Sequence, residues 1–489
     1  MKRVVTVLIS CMVMVALSAC NGGNNNDNGN GNGNNNNNNK ASEPAASSKA
    51  TEQPANSSDQ SSPNGNAKAD PLPQGLEPLD DKPKTIVVSI LGVTPFYKLA
   101  KEKYEKLHPN VTVQFKEFTS ESMLSASESE KYVKSTTTAV LSGKGADLFA
   151  LRPGELPIDK FENKGALENL DDWMKRDAGF DPRQYQMNVM EGSETNGGLY
   201  MMPVEFYLEA LFGDADGLEQ AGIQFDDRNW TWNQFNELSK QLTAKNGTTY
   251  SLNFLPPENM MNDLVSDNYD RLIDGASGKA SFDSPFFNEL LTGVKQSYDA
   301  KELSGDTAQF RKSLLSYSFM TSPSDYLVRL ASYFKHGKVY QKPHAADEES
   351  GISFLVTSQI AMNANSKVKR DAWEFMKFLL SEEAQSYPRQ SGFSMNKAVN
   401  EKAIADIKEK GVDKDAAAKS EGAAVEVTDE KLEALRDMLS EANLRDRGYE
   451  STTIQQIIAE EVKAFFAGQK SADSVARLIQ NRVTTYLNE

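Results

Sequence analysis

Apolar and polar positions change rhythm along this chain, and the rhythm marks out its elements. Residues 4–17 are almost wholly apolar, and residues 21–39 hold only Asn, Gly and one Asp. From residue 85 onward, short apolar runs alternate with helical stripes. Residues 85–91 are a β-branched run that reads as a buried strand. Residues 95–107 put Phe96, Leu99, Ala100 and Leu107 at helical spacing. Val111, Val113 and Phe115 alternate with polar residues as a second strand; residues 127–142 read as a helix closed by Gly143, and residues 146–151 as a third strand. Strand–helix–strand–helix–strand implies a parallel sheet covered by helices, hence an α/β fold. Ligands of such sheets sit beyond the carboxyl ends of the strands, so the loops at 92–97 and 152–157 are candidate rim segments.

A second unit follows the turn signal Asn196-Gly197-Gly198. Residues 199–212 are mostly apolar and read as one long strand or two short ones. Thr231 with Gln234 is a capping box opening a helix to about residue 242, and Ser284-Pro285 opens another. Residues 250–254, 318–321 and 359–362 read as strands, and Ser366 is expected to cap an amphipathic helix ending at Leu380. The remainder is nearly all helical, closing with amphipathic helices at 453–467 and 472–487; residues 411–427 look like an exposed insertion. Trp173, Trp230, Trp232 and Trp373 fall on helix faces or caps, as core residues do.

The amino terminus carries a different signal. Lys2 and Arg3 precede the apolar stretch, which ends in Leu17-Ser18-Ala19-Cys20. That is the build of a secretory signal peptide, residues 1–19, cleaved before Cys20. The stretch is short for a membrane span, which needs ~20 apolar residues. Leu-Ser-Ala-Cys resembles the bacterial lipobox, which implies acylation of Cys20. Residues 20–83 are too polar to offset their ordering entropy and are expected to form a disordered tether. A flexible chain of roughly 63 residues reaches on the order of 45 Å.

Composition narrows the classes that remain. The body of roughly 405 residues is too long for one core and suits two lobes. Cys11 leaves with the signal peptide and Cys20 is lipidated, so no disulfide, thiolate nucleophile or cysteine-bound metal is expected in the body. His108, His336 and His344 have no metal-ligand spacing, and no cofactor is expected. The formal charge of −16 becomes −18 once Lys2 and Arg3 are lost. Such a chain repels nucleic acid and anionic lipid. Ser266-Asp267-Asn268 matches one element of serine penicillin-binding enzymes, but Ser332-x-x-Lys335 and Ser366-x-x-Lys369 lie downstream of it and no Lys-Thr-Gly follows. Asp214-Ala215-Asp216-Gly217 lacks the alternation and closing glutamate of a calcium loop and reads as a helix start. P-loop, Gly-x-Ser-x-Gly and dinucleotide fingerprints are missing from the sequence, and the protein is expected not to be an enzyme.

Several segments, taken in order, resemble the family 1 extracellular solute-binding proteins of ABC importers. They are residues 100–111, Gly145-Ala146-Asp147-Leu148-Phe149, Gly165-Ala166-Leu167-Glu168-Asn169-Leu170, Gly198-Leu199-Tyr200-Met201-Met202-Pro203, Trp230-Thr231-Trp232 and residues 363–385. The resemblance implies a two-lobe periplasmic-binding-protein-like α/β fold with a multi-strand hinge and a helical C-terminus. It implies a monomer that captures a carbohydrate, an oligosaccharide, and delivers it to ABC permease subunits. A lipid anchor places it on the outer face of the membrane of a bacterium without an outer membrane. Three crossings are expected, near Pro203, near 325–345 and near 386–393. They would build one lobe from 84–203 plus 345–388 and the other from 204–344 plus 389–489. The alternatives are a surface sensing or interaction protein on the same fold, and an extracellular hydrolase.

Sugar sites combine an aromatic platform with planar polar groups. The candidates are Phe96 and Tyr97 after the first strand, Arg152 after the third, and Glu205 and Tyr207 past the crossover proline. Asn259, Asp325, Tyr326 and Phe393 complete the set, with Tyr207 and Tyr326 expected to face each other across the cleft. Many family members carry Trp where Tyr326 stands; Arg152 would suit an acidic sugar. Changing Cys20→Ala is expected to abolish acylation and release the protein into the medium, measured by fractionation; a variant that stays membrane-bound overturns the lipobox reading.

Overall fold

A computed structural model describes residues 75–488 apart from 120–125, 247–249, 254–255, 276, 307–311, 335, 345–349, 389–391, 419–422 and 448–450. Cys20 and residues 1–19, expected as a signal peptide, lie outside the described residues. The strands are β1 (Lys84–Ile90), β2 (Val111–Glu117), β3 (Leu148–Leu151), β4 (Met202–Asp214), β5 (Tyr250–Asn253), β6 (Ile273–Asp274), β7 (Lys279–Ala280), β8 (Leu303–Ser304), β9 (Ser313–Met320), β10 (Gly337–Tyr340), β11 (Ile352–Met362), β12 (Phe393–Ser394) and β13 (Ala442–Arg445). One mixed sheet runs β2-β1-β3-β11-β4-β9-β5-β8; β10 and β12 also pair with β4, and β13 with β11. This is a two-lobe periplasmic-binding-protein-like α/β fold with a helical C-terminus.

The parallel β2-β1-β3 ladder forms as its pattern predicts, with Ile86, Val88, Val113 and Leu148 unexposed. The Pro95–Leu107 helix starts on proline, and the Thr94 side chain accepts from the Tyr97 N–H. Its buried face is Phe96, Tyr97, Ala100 and Tyr104, whereas Leu99 and Leu107 are exposed. The buried stripe is turned from the expected one because Tyr104 packs on Phe375 and Phe378. The Thr231–Gln234 capping box forms as expected. Ser366 does not cap its helix: Lys369–Leu380 begins after Val368, and the Ser366 hydroxyl instead donates to Asp147 Oδ1 at 2.7 Å. Residues 75–83, expected in the tether, are held to the body, with the Glu77 carbonyl accepting from Arg370 and the Gly75 carbonyl from Arg176.

β4 is a single strand, and its length places the site. Its N-terminal half pairs with β11 and β12, and its C-terminal half with β9 and β10. Successive side chains of a strand point to opposite faces. Met202, Val204, Phe206, Leu208, Ala210 and Phe212 join one continuous core that holds Ile86 and Trp373 and extends to Tyr326 and Leu330. On the other face, Met201 belongs to a core with Phe149 and Phe161, and Leu211 to a separate core with Phe235 and Phe287. Between those two cores that face carries Glu205, Tyr207 and Glu209. The lobes are thus fused on one face of the sheet and parted on the other.

A phenylalanine from each of β4, β11 and β12 staples the fused face: Phe206 lies 6.4 Å from Phe354 and 5.8 Å from Phe393, ring centre to ring centre. Residues 389–489, expected in one lobe, divide between cores. Ile404 and Leu435 enter the continuous core, while Val462 and Ile479 pack with Met261 and Leu291. No described helix is long and apolar enough to cross a membrane. Truncating the staple, Phe206→Ala, is expected to cost about 3–5 kcal/mol, read by urea unfolding; a loss below ~1 kcal/mol would show that the crossing strands do not depend on it.

Candidate functional site

Cross-strand register assembles a floor on the parted face. Tyr207 stands opposite Leu355 of β11, and Glu209 stands between Ser353 of β11 and Phe319 of β9. Tyr207 meets Phe319 edge-to-face at 6.3 Å, and Phe319 meets Tyr317 edge-to-face at 5.7 Å. A register shift in β11 between Val356 and Gln359 brings Thr357 and Ser358 beside Glu205, and the Thr357 hydroxyl donates to Glu205 Oε1 at 2.9 Å. Gly392, at φ +122°, passes so close that an added Cβ would lie 2.2 Å from Glu205 Cγ. Only glycine fits both the backbone and the gap.

The first lobe supplies one wall. Burial pushes the Tyr97 hydroxyl up to about 12, an effect that Ser358 partly offsets and the Glu205 and Glu155 charges reinforce. Tyr97, Glu205 and Glu155 therefore form one group. Arg152 follows β3, and its Nε donates to Glu155 Oε1 at 2.7 Å, so its charge is already matched by a carboxylate. Near the mouth the lobes touch: Asn163 Nδ2 donates to the Gly275 carbonyl at 3.2 Å, and Lys160 Nζ lies 5.7 Å from the Tyr486 ring centre. Floor and wall together offer ring faces next to carboxylate and hydroxyl groups, which suits a solute both apolar-faced and rich in hydroxyls.

The candidate residues separate clearly. Glu205 and Tyr207 lie on the floor and Arg152 pairs with Glu155, while Tyr97, 4% exposed, has its ring in the continuous core and only its hydroxyl toward Ser358 and Glu205. Phe96 and Phe393 are 5% and 1% exposed in the continuous core, and Phe393 works in the staple on the opposite face from Tyr207. Tyr326, 2% exposed, packs with Leu327 and Leu330 in that same core. It does not face Tyr207, because the Pro323–Tyr333 helix covers the other side of β9. Asp325 is turned back on its own helix, accepting from the Thr321 N–H at 3.0 Å and Arg329 Nε at 2.8 Å. Asn259 is exposed at the start of the Pro257–Asp267 helix, with no described contact to the floor. Phe319, Leu355, Thr357 and Glu155 were missed. The alternation of Glu205, Tyr207 and Glu209 through an apolar strand is the sequence signal that leads to them.

A cavity of about 1020 Å³ lies elsewhere, between the Pro323–Tyr333 and Asp429–Glu441 helices, with Tyr326, Leu330, Tyr340 and Met438 in its lining. None of its lining residues precedes Ala215. Among the described residues it takes nothing from the β1–β3 ladder. Among the described residues, no three His, Cys, Asp or Glu side chains are arranged to hold a metal ion.

Comparison with known proteins bears on the fold. The family described as bacterial extracellular solute-binding protein matches residues 91–386. An extracellular solute-binding protein family 1 structure from Alicyclobacillus acidocaldarius is similar at 16% identity and TM-score 0.55, covering 84% of this chain and 100% of its own. A periplasmic oligogalacturonide binding protein from Yersinia enterocolitica gives 16% identity and TM-score 0.55 over 83% of this chain and 99% of its own. The sugar-binding protein MalE from Xanthomonas citri gives 15% and 0.54 over 83% and 97%. At these identities the likeness speaks for the fold.

Placement predicts two opposite phenotypes. Tyr326→Ala is expected to lower the unliganded melting temperature, at a cost of about 3 kcal/mol for a buried ring, while Tyr207→Ala, half-buried, leaves it nearly unchanged. Calorimetry showing the reverse order would put the floor on the wrong face.

Proposed function

The chain belongs to the bacterial extracellular solute-binding protein family, whose match spans more than half of it, and we propose that it captures an oligosaccharide between its lobes and hands it to an ABC importer. The observation that carries this reading is the row Glu205–Tyr207 on the parted face of β4, flanked by Phe319 and Tyr97 from different lobes. A pyranose has an apolar ring face and an equatorial rim of hydroxyls. Tyr207 and Phe319 would take the former; the Glu205 carboxylate and the Thr357 hydroxyl oxygen, whose own proton goes to Glu205, would both accept at the latter. Arg152, already matched by Glu155, gives little weight to an acidic sugar and favours a neutral one. Sugar-binding proteins among the similar structures support the ligand class, and a family of binding proteins supports a role without catalysis.

On this reading acylated Cys20 holds the mature protein, a monomer, at the outer face of the membrane of a Gram-positive bacterium, and the tether lets the body reach the permease. Closure is driven only by contacts that the ligand makes with both lobes. Thermal shift of the body against maltotetraose, cellotetraose, xylotetraose and trigalacturonate tests the proposal. A ligand at ~100 Kd adds about 2.7 kcal/mol, and Tyr207→Ala is expected to weaken binding about tenfold, some 1.4 kcal/mol. No shift with any of the four moves the function away from this saccharide class, and turnover of any of them would make the protein a hydrolase.

A further inference from the structure

The parted face of β4 continues beyond the floor into a buried ionic cluster. Lys342, 1% exposed, lies with its Nζ 2.9 Å from Asp263, 3.0 Å from Asp267 and 3.9 Å from Glu209. Asp446, after β13, accepts from the Ser266 hydroxyl, and its charge acts on Glu209, Asp263 and Lys342. Trp232 Nε1 donates to Asp267 at 2.7 Å. From β9, the Tyr317 ring centre lies 5.4 Å from Lys342 Nζ, and its hydroxyl is beside Glu209. These groups come from β4, β9, the Trp232–Asn246 and Pro257–Asp267 helices, and the segments after β10 and β13.

Three carboxyl groups thus share one ammonium, with Asp446 close to them. Glu209, Asp263 and Asp267, all within 4 Å of Lys342 Nζ, would if ionised carry two more negative charges than that ammonium matches where water scarcely reaches, and buried groups neutralise rather than bear that. Lys342 sits closest to the two aspartates; Glu209 is unexposed and farther from it. We infer that Glu209 keeps its proton at neutral pH, and that this proton positions the aromatic floor, so that solute affinity falls as the pH rises above neutrality. The coupling runs through contacts already described, from Lys342 and Glu209 to Tyr317, to Phe319, to Tyr207. Burial and the neighbouring Asp446 charge push Glu209 well above the usual carboxylate range, and burial takes Asp263 to about 7. Glu209 is a positioning residue, and its effect on affinity rests on the saccharide reading above.

The sign follows from linkage. In the unfolded chain these acids ionise near pH 4, whereas in the fold they hold protons, so stability falls as pH rises from about 4 to 7 for Asp263 and further for Glu209. Glu209→Gln imitates the protonated acid. Its melting temperature without ligand is expected to exceed that of wild type by a margin that widens between about pH 5.5 and 8. An equal loss at both pH values would show that Glu209 is an ionised partner of Lys342 and overturn the inference. Should the variant fail to fold, the infrared carboxylic-acid band of wild type decides: its loss below about pH 6 overturns the inference equally. Para-fluorophenylalanine at position 319 reads the floor without ligand; its fluorine resonance should move between about pH 6 and 8 in wild type and stay fixed in Glu209→Gln. Affinity for whichever of the four saccharides binds should weaken about fivefold or more over that range in wild type only. Saccharide binding with the same pH dependence in both proteins sinks the inference but spares the function. A pH-dependent floor with no saccharide bound does the opposite.

Discussion

Everything in this molecule depends on one strand having two unlike faces. β4 is long enough to pass from one lobe to the other, and its even-numbered side chains from Met202 to Phe212 all lie in one core. That uninterrupted apolar face fuses the lobes and cannot be opened without exposing Phe206, Leu208 and Phe212 to water. The opposite face meets a core at each end and has Glu205, Tyr207 and Glu209 between them. A gap in apolar burial on one side, with continuity on the other, leaves a shared floor between two cores.

The contents of the gap follow from the same geometry. Polar side chains between two apolar cores are costly unless they find partners. Glu205 has the Thr357 hydroxyl, brought near by a register shift in β11 and by a glycine that leaves room for it. Tyr207 and Phe319 meet edge-to-face and so fix each other's rings. The floor is therefore held by contacts within the protein, which on the proposed reading lowers the entropy lost when a solute binds. At the second-lobe end the polarity continues into the Lys342 cluster, whose stability depends on carrying fewer charges than it has carboxyl groups.

The helices have a supporting role that differs between the lobes. Trp373 is unexposed on Lys369–Leu380, and its Nε1 donates to Asp177 Oδ2 at 2.8 Å, where Lys377 also reaches Asp177. Lys377 and the Trp373 N–H hold the Asp177 carboxyl below the usual carboxylate range despite the opposing effect of burial. This fixes the helix beneath β1 and β11 and keeps the first wall rigid. The last two helices, Thr452–Phe466 and Ala472–Asn488, instead close the core of the second lobe, and Tyr486 reaches the first lobe near Lys160.

Much of this was legible in residue order. Local patterns are enough for the Pro95–Leu107 helix, the Thr231 capping box and the Ser284 helix start, because each starts from contacts within a few residues, and the strand–helix alternation is enough for the parallel β1–β3 unit. The resemblance to solute-binding proteins was legible too, since it is carried by runs of adjacent residues. Which face of a strand meets which core was not. Phe393, Tyr326 and Tyr207 all follow or lie within strands near crossings, and by pattern they are equivalent. The first two enter the continuous core and the third the floor only because β12 pairs with β4 and the Pro323–Tyr333 helix covers one side of β9. The buried cluster, likewise, joins residues as far apart as Glu209 and Asp446. By itself the sequence determined the elements, the apolar continuity of β4 and the polar interruption within it. Tertiary structure decided what fills that interruption, because cross-strand register and helix docking are set by partners more than a hundred residues away, beyond the reach of any local pattern.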